Sequence, residues 1–185
     1  MKIDITLEIT QAISDEAQKN HGRLKLGHFG THFDVMNKKF PLDYVERQGI
    51  FFDISKIWDR DVEISDIDIN AVQKDMFVGF YSGFVEAKGY GTKEYFGIHP
   101  CLSNQLVDAL LDKEISIIGL DFSGVRSGKE HNPMDQYCAD RGVFIVENLC
   151  NMKAVMDAGG RGTVYTFPIK YSDLTGLPCR VVVTI

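Results

Sequence analysis

The chain has 185 residues, 44% of them hydrophobic and 25% charged, with a net charge of −6 at pH 7. A chain of this length and composition predicts one globular domain over residues 1–185, which needs no disulfide bonds to bury a core. The acidic balance and the lack of a basic run argue against a nucleic-acid binder, which would present a basic face. No apolar stretch approaches the ~18 residues that a membrane span requires.

The cysteines and the N-terminal residues indicate the compartment. The cysteines are Cys101, Cys138, Cys150 and Cys179. They are far apart and form no C-x-x-C pair, so neither a zinc knuckle nor a disulfide framework is indicated. Asp4 and Glu8 fall where a signal peptide would need an apolar run. We therefore expect a cytoplasmic protein with four free thiols.

Strand-like patterns fill the first half of the chain. Residues 3–9 alternate apolar and polar side chains, and residues 23–34 do the same, which is the two-residue period of a strand. Residues 50–54 and 77–81 are short apolar runs that suit buried strands. We expect four strands from these segments.

The second half is predicted to alternate helices and strands. Ser103 can cap a first helix, Asn132 can cap a second that begins with Pro133, and Gly142 can end it. The predicted strands are 115–121, 143–146, 164–169 and 180–185. β-rich ends around two helix–strand units predict the α/β class, with a mixed, curved sheet and few helices packed on it.

His28, His32 and Asp34 are candidate metal ligands because of their spacing. On an extended segment all three point the same way, and Gly30 between them leaves the space open. Two imidazoles and one carboxylate suit zinc or manganese, and three protein ligands leave room for a water. Two histidines near a glycine are also common as ordinary surface residues, so the spacing alone leaves both interpretations open.

The segment His28–Asp34, HFGTHFD, resembles the opening of the motif H-x-G-T-H-x-D-x-P-x-H. This motif marks the cyclase family, which contains bacterial kynurenine formamidase and isatin hydrolase. Further stretches resemble that family in the same order, and they are residues 4–9, 82–84, 88–124 and 141–149. The resemblance spans nearly the whole chain.

The resemblance implies a swivelling β/β/α domain, an α/β fold with a mixed, barrel-like sheet flanked by a few helices. It also implies that His28, His32 and Asp34 bind a divalent metal, zinc or manganese. Asp34 would bridge to a second ion, which Glu147 and a later histidine would complete. The implied assembly is a homodimer or higher homo-oligomer, and the implied partner is a small-molecule substrate.

Three positions depart from the family pattern. The proline of the motif falls on Met36, and its final histidine, the family's proposed acid/base, falls on Lys38. A lysine can act as a base only if burial or a nearby metal lowers its pKa by several units. Lys38 is thus a candidate catalytic residue, although the adjacent Lys39 favours a surface turn. The late histidine ligand falls on Asp135, and His131 four residues earlier is the alternative.

The resemblance and these departures leave three hypotheses. The first is a hydrolase of a small amide, formamide or cyclic amide that uses a metal-activated water, with little kynurenine formamidase activity. The second is a metal- and ligand-binding protein that has lost turnover with the motif histidine. The third is a purely structural metal. His99 could line the substrate pocket or be an ordinary loop residue.

Overall fold

The computed structural model describes residues 1–19, 26–97 and 99–185. Within these ranges eight strands form one sheet. The strands are β1 (Lys2–Asp4), β2 (His32–Asp34), β3 (Glu46–Asp53), β4 (Phe77–Tyr81), β5 (Ile117–Leu120), β6 (Phe144–Glu147), β7 (Arg161–Pro168) and β8 (Gly176–Thr184). The described α-helices are α1 (Gln11–Lys19), α2 (Phe84–Lys88), α3 (Asn104–Asp112), α4 (His131–Asp140) and α5 (Met152–Asp157).

The sheet closes on itself. The strand order is β1-β8-β2-β6-β5-β4-β3-β7, and β7 pairs again with β8, so that seven strands form a ring and β1 extends the edge of β8. The three pairs β3–β4, β4–β5 and β5–β6 are parallel. The remaining pairs are antiparallel. The predicted mixed, barrel-like sheet with few helices is confirmed.

Alternate side chains of the strands enter two different cores. One core takes residues from all eight strands, such as Phe33, Ile117 and Val181, and fills the barrel. The other core takes their neighbours, such as Ile118 and Ile145, and packs them against α2, α3 and α4. Because successive side chains of a strand point to opposite faces, the residues on either side of Phe33 face outward, toward the helix layer.

Helix α3 begins as its sequence predicts. The hydroxyl of Ser103 accepts a hydrogen bond from the backbone N–H of Leu106 at 3.2 Å, and the apolar stripe of the helix is buried. Helix α4 begins at His131, directly after the short 3₁₀ helix Gly128–Glu130, and no side chain caps it. The expectation that Asn132 caps this helix is therefore wrong.

The extended segment predicted over residues 23–34 is much shorter in the structure. Only His32–Asp34 form a strand, while residues 26–31 form turns and bends, and residues 20–25 lie outside the described ranges. Gly27 and Gly30 adopt φ of 83° and 61°, which no strand residue adopts. The strand predicted over residues 3–9 likewise ends at Asp4. None of the helices in the described ranges has the length and apolarity that crossing a bilayer requires.

Candidate metal centre

The side chains of His28, His32 and Asp34 converge. Nδ1 of His28 lies 2.7 Å from Oδ1 of Asp34 and 3.1 Å from Nε2 of His32, and that Nε2 lies 3.7 Å from the same Asp34 oxygen. Ligands about 2.05 Å from a tetrahedral zinc ion lie roughly 3.3 Å apart. The three atoms therefore have the separation that one divalent ion requires.

The second ring nitrogen of His28 and that of His32 each contact an oxygen of a residue outside this group. Nδ1 of His32 lies 2.9 Å from the carbonyl oxygen of Gly30, which can only accept, so this nitrogen carries the proton and Nε2 presents a lone pair. Nε2 of His28 lies 2.8 Å from the hydroxyl of Thr175. Both rings are thereby oriented with their inner nitrogens toward Asp34.

A second group of donors shares Asp34. Single ligand atoms of Asp34, His131 and Asp135 all lie within 4.8 Å of one another, and Nε2 of His131 is 3.2 Å from Oδ2 of Asp135. Sequence reasoning left Asp135 and His131 as alternatives, whereas the first two turns of α4 bring both to the site, one helical turn apart.

Glu147 lies between the two groups. It ends β6 and pairs in register with His32, so both side chains project from the same face of the sheet. One carboxylate oxygen is 3.8 Å from Nε2 of His32, and the other is 3.7 Å from Nε2 of His131. The residue is only 2% exposed. Its carboxylate is within reach of an ion in either group.

Three oxygens of Asp34 and Asp135 lack a hydrogen-bond donor among the described residues. Asp34 and Asp135 are each 1% exposed. Despite the close approach of His28, neither oxygen of Asp34 receives a hydrogen bond of acceptable geometry from any described residue, and the same is true of Oδ1 of Asp135. Buried carboxylates without donors are costly unless a cation is present. The residues therefore fit a divalent metal ion.

The pKa values of the two aspartates diverge. Burial raises the pKa of Asp34, but the imidazoles of His28 and His32 outweigh burial and hold that pKa below its usual range. Burial and the negative charge of Asp34 raise the pKa of Asp135 to about 9. Without a cation the cluster thus keeps a proton on Asp135, and a bound divalent ion would displace it.

The donor cluster borders a cavity of about 900 Å³. Its walls include the aromatic side chains of Tyr90 and Phe96 on one part and the polar residues Ser127, Lys129 and Asn132 on another. A cavity of this size can hold a small organic molecule. The candidate metal-binding side chains and a substrate-sized space are therefore adjacent.

His99 also lines this cavity. Nδ1 of its ring lies 2.7 Å from the carbonyl oxygen of Pro100, and the ring stacks on Phe122 at 5.7 Å. Burial lowers the pKa of His99, although the Pro100 carbonyl acts in the opposite direction. This imidazole is therefore neutral near pH 7. It lies in the cavity wall, the placement that a substrate-binding role requires.

Lys38 is directed away from the cluster. Its ammonium lies 2.6 Å from a carboxylate oxygen of Asp140, near the C-terminal end of α4, and the side chain is 38% exposed. It is not among the described residues that line the cavity. The structure thus places the Lys38 side chain in a surface ion pair outside the donor cluster, as the adjacent Lys39 favoured.

Two residues of the site were missed from the sequence. Thr175, which contacts His28, lies just before β8 and carries no motif. Asn148 directly follows Glu147, lines the cavity and has a φ of 59°. Asparagine is the residue other than glycine that most readily adopts positive φ, so an asparagine after a predicted strand end was the available signal.

Asp121, just after β5, holds the ends of β4 and β5 together. It is fully buried and accepts hydrogen bonds from the backbone N–H groups of Ser82 and Gly83 and from the Ser82 hydroxyl. Burial raises its pKa to about 7, even though these hydrogen bonds lower it. The folded protein thus retains a proton on Asp121 that the unfolded chain loses near pH 4.

We expect the contribution of Asp121 to stability to decline as pH rises from about 4 to 7. Unfolding releases its proton in this range, so the free energy of unfolding falls by on the order of 4 kcal/mol across the full window. Urea unfolding of the wild type and of Asp121→Asn at several pH values measures this contribution to the free energy of unfolding. Parallel pH profiles for the two proteins would rule it out.

Comparisons with known proteins decide the family. The family model described as "Putative cyclase" matches residues 3–126. The chain belongs to this cyclase family. The matched range includes His28, His32 and Asp34, whereas Asp135 and Glu147 lie beyond it. No curated protein sequence matches the chain significantly.

Solved structures share the fold of this cyclase-family chain at low sequence identity. A potential metal-dependent hydrolase with cyclase activity is 21% identical, with a TM-score of 0.74 over 99% of this chain and 96% of that one. A "predicted metal-dependent hydrolase" from Bacillus stearothermophilus is 19% identical, with a TM-score of 0.72 over 99% and 97%. Isatin hydrolase A from Labrenzia aggregata is 18% identical, with a TM-score of 0.70 over 83% and 71%. The family fold that the sequence implied is confirmed.

Proposed function

We propose that this protein is a metal-dependent hydrolase of a small amide, formamide or cyclic amide. The observation that carries the proposal is the convergence of His28, His32 and Asp34 with the second donor group at the border of a 900 Å³ cavity. The fold, shared with metal-dependent hydrolases and an isatin hydrolase, agrees with it. The substrate class is taken from the resemblance and from the size of the cavity.

The two donor groups differ in chemistry. His28, His32 and Asp34 offer two nitrogens and one carboxylate, which suits zinc, whereas Asp34, Asp135 and His131 offer two carboxylates and one nitrogen, which suits manganese as well. We propose one ion, zinc or manganese, in the first group and a second in the oxygen-rich group. When bound, such an ion polarises a carbonyl and lowers the pKa of water.

Residues of the chain supply the remaining functions, which are substrate binding and proton transfer. The aromatic side chains of Tyr90 and Phe96 offer the substrate an apolar surface, and the polar lining residues bind and orient its polar groups. Of the residues that could move a proton, Lys38 faces Asp140 outside the cavity. Glu147 remains, because His131 is already a donor of the second group. Glu147 borders the cavity next to both donor groups. We assign proton transfer to Glu147, because its carboxylate lies beside both groups.

One observation favours a second candidate function, a metal- and ligand-binding protein without turnover. Lys38 stands where the family motif has its acid/base histidine, and its ammonium is held in an ion pair at the surface. A protein without an effective proton carrier would bind metal and ligand but turn over slowly. The two functions differ in measured hydrolysis and agree in metal content.

Purified protein loaded with zinc or manganese tests the proposal against a panel of aromatic and aliphatic formamides, lactams and cyclic imides. We expect hydrolysis that a chelator abolishes and added metal restores, with little activity on N-formylkynurenine. Robust hydrolysis of N-formylkynurenine would leave the formamide class in place but contradict the expected lack of kynurenine formamidase activity. Metal binding without hydrolysis of any member would favour the second function.

We expect His28→Ala to lose at least one equivalent of metal, since His28 supplies one of the three donors of the first group. His99→Ala is the matched control, because His99 lines the same cavity but belongs to neither donor group. Elemental analysis of both variants measures the metal directly. Equal metal content in wild type and His28→Ala would contradict the proposed site.

A further inference from the structure

Asn148 joins three segments beneath the candidate metal centre. Its side-chain amide donates to the carbonyl oxygen of Gly30 at 2.8 Å and accepts from the hydroxyl of Tyr95 at 2.6 Å. Its backbone carbonyl accepts from the hydroxyl of Thr31 at 2.8 Å. Asn148 is 2% exposed and Tyr95 is fully buried, so water does not compete for these bonds.

The orientation of this amide is fixed by its partners. The Gly30 carbonyl can only accept, so the NH₂ group of Asn148 must face it. The oxygen of the amide then faces the Tyr95 hydroxyl, which donates to it. Burial raises the pKa of Tyr95 well above its usual value, so this hydroxyl keeps its proton. The chain Tyr95–Asn148–Gly30 therefore has one arrangement of donors and acceptors.

The same Gly30 carbonyl receives the Nδ1 proton of His32 at 2.9 Å. Gly30 adopts a φ of 61°, and its own N–H donates to the Tyr90 hydroxyl at 2.9 Å. The peptide groups that orient the His32 ring are thus held on two sides, by Asn148 and by Tyr90. Because the carbonyl cannot turn away, the proton of His32 stays on Nδ1 and the lone pair of Nε2 stays directed at Asp34.

We propose that Asn148 is a positioning residue for His32, which holds this imidazole in the metal-binding tautomer before any ion arrives. The inference rests on the proposed metal site and extends it. Tyr95 belongs to the segment that also carries the cavity-wall residues Tyr90 and Phe96. The chain of hydrogen bonds therefore connects that wall of the cavity to the metal-binding side chain.

Asn148→Gly tests this role. Glycine tolerates a φ of 59° without strain, so the variant removes the amide and little else. We expect affinity for Co²⁺, titrated against a competing chelator, to fall about 10- to 100-fold, which is the usual effect of losing a group that orients a ligand. Visible absorption of the Co²⁺ protein should change as the His32 ring moves.

Asn151→Gly is the matched control. Asn151 also adopts positive φ, at 53°, and also donates its amide to a backbone carbonyl, that of Asp4, but it lies at an exposed position. We expect it to bind Co²⁺ as the wild type does. Tyr95→Phe removes only the hydroxyl that orients the Asn148 amide and should give a smaller loss of affinity than Asn148→Gly. It also serves as the second variant if Asn148→Gly fails to fold.

Nitrogen-15 NMR of the imidazole groups in the metal-free protein separates this inference from the proposed function. In wild type we expect a single His32 tautomer with the proton on Nδ1, and in Asn148→Gly a mixture of tautomers. Unchanged tautomers together with unchanged Co²⁺ affinity in Asn148→Gly and Tyr95→Phe would overturn the positioning role. A wild type with no Co²⁺ affinity but a tautomer that depends on Asn148 would overturn the metal site alone.

Discussion

Asp34→Asn is expected to lower the affinity for divalent metal by roughly 1000-fold, since losing a buried charge partner costs about 4 kcal/mol. The effect should extend to both donor groups, because Asp34 is the member that they share. Isothermal titration with Zn²⁺ and Mn²⁺ measures both positions. In the metal-free variant the pKa of Asp135 should also fall, because the charge of Asp34 helps to raise it.

Asp140→Asn provides the control for Asp34→Asn. This carboxylate belongs to the same helix as Asp135 but is exposed and pairs with Lys38. Its loss should leave metal affinity at the wild-type value. If Asp34→Asn bound both metals as tightly as Asp140→Asn does, the shared carboxylate would have no part in the site.

Glu147→Gln is expected to reduce hydrolysis by about 100-fold or more at saturating metal, the range that a positioned proton carrier contributes. Glutamine has nearly the same shape, so the fold should remain intact, and circular dichroism checks this. The amide cannot accept a proton, although it can still lie between His32 and His131. Measured kcat for the best substrate of the panel gives the result.

The control for Glu147→Gln is Glu130→Gln. Glu130 precedes His131 directly, but its side chain is exposed and pairs with Arg126. It should retain full activity. A Glu147→Gln enzyme that turned over at the wild-type rate would rule out Glu147 as the proton carrier.

The sequence predicted which candidate metal ligands converge more accurately than it predicted the backbone around them. His28, His32 and Asp34 do converge, but residues 26–31 form turns, and His28 reaches the group through the positive φ angles of Gly27 and Gly30. The alternation of side chains therefore correctly predicted that these three residues lie close together. It predicted an extended strand as the reason, whereas the structure has turns there. The residue types and the family motif predicted this group more accurately than the two-residue period of the side chains did.

Other elements depended on contacts that no local pattern encodes. Helices α2 and α5 have five and six residues, too short to be stable alone, so tertiary packing rather than propensity determines them. Asn148 and Thr175 acquire their roles only when distant segments meet. By contrast, helix α3 and the buried strands β5 and β6 follow from a strong cap and continuous apolar runs, and these were predicted correctly.

The short strand β2 has a consequence for how the protein is made. Its three residues include two donors, and they pair with β6 and with β8, both far along the chain. During synthesis β2 leaves the ribosome long before either partner strand exists, and contacts between distant segments form slowly. The two imidazoles and the carboxylate therefore reach their final spacing only after β8 has been synthesised. At the proposed metal site, ion selection in the cell would then follow folding, and the metal supply at that moment would decide which ion binds.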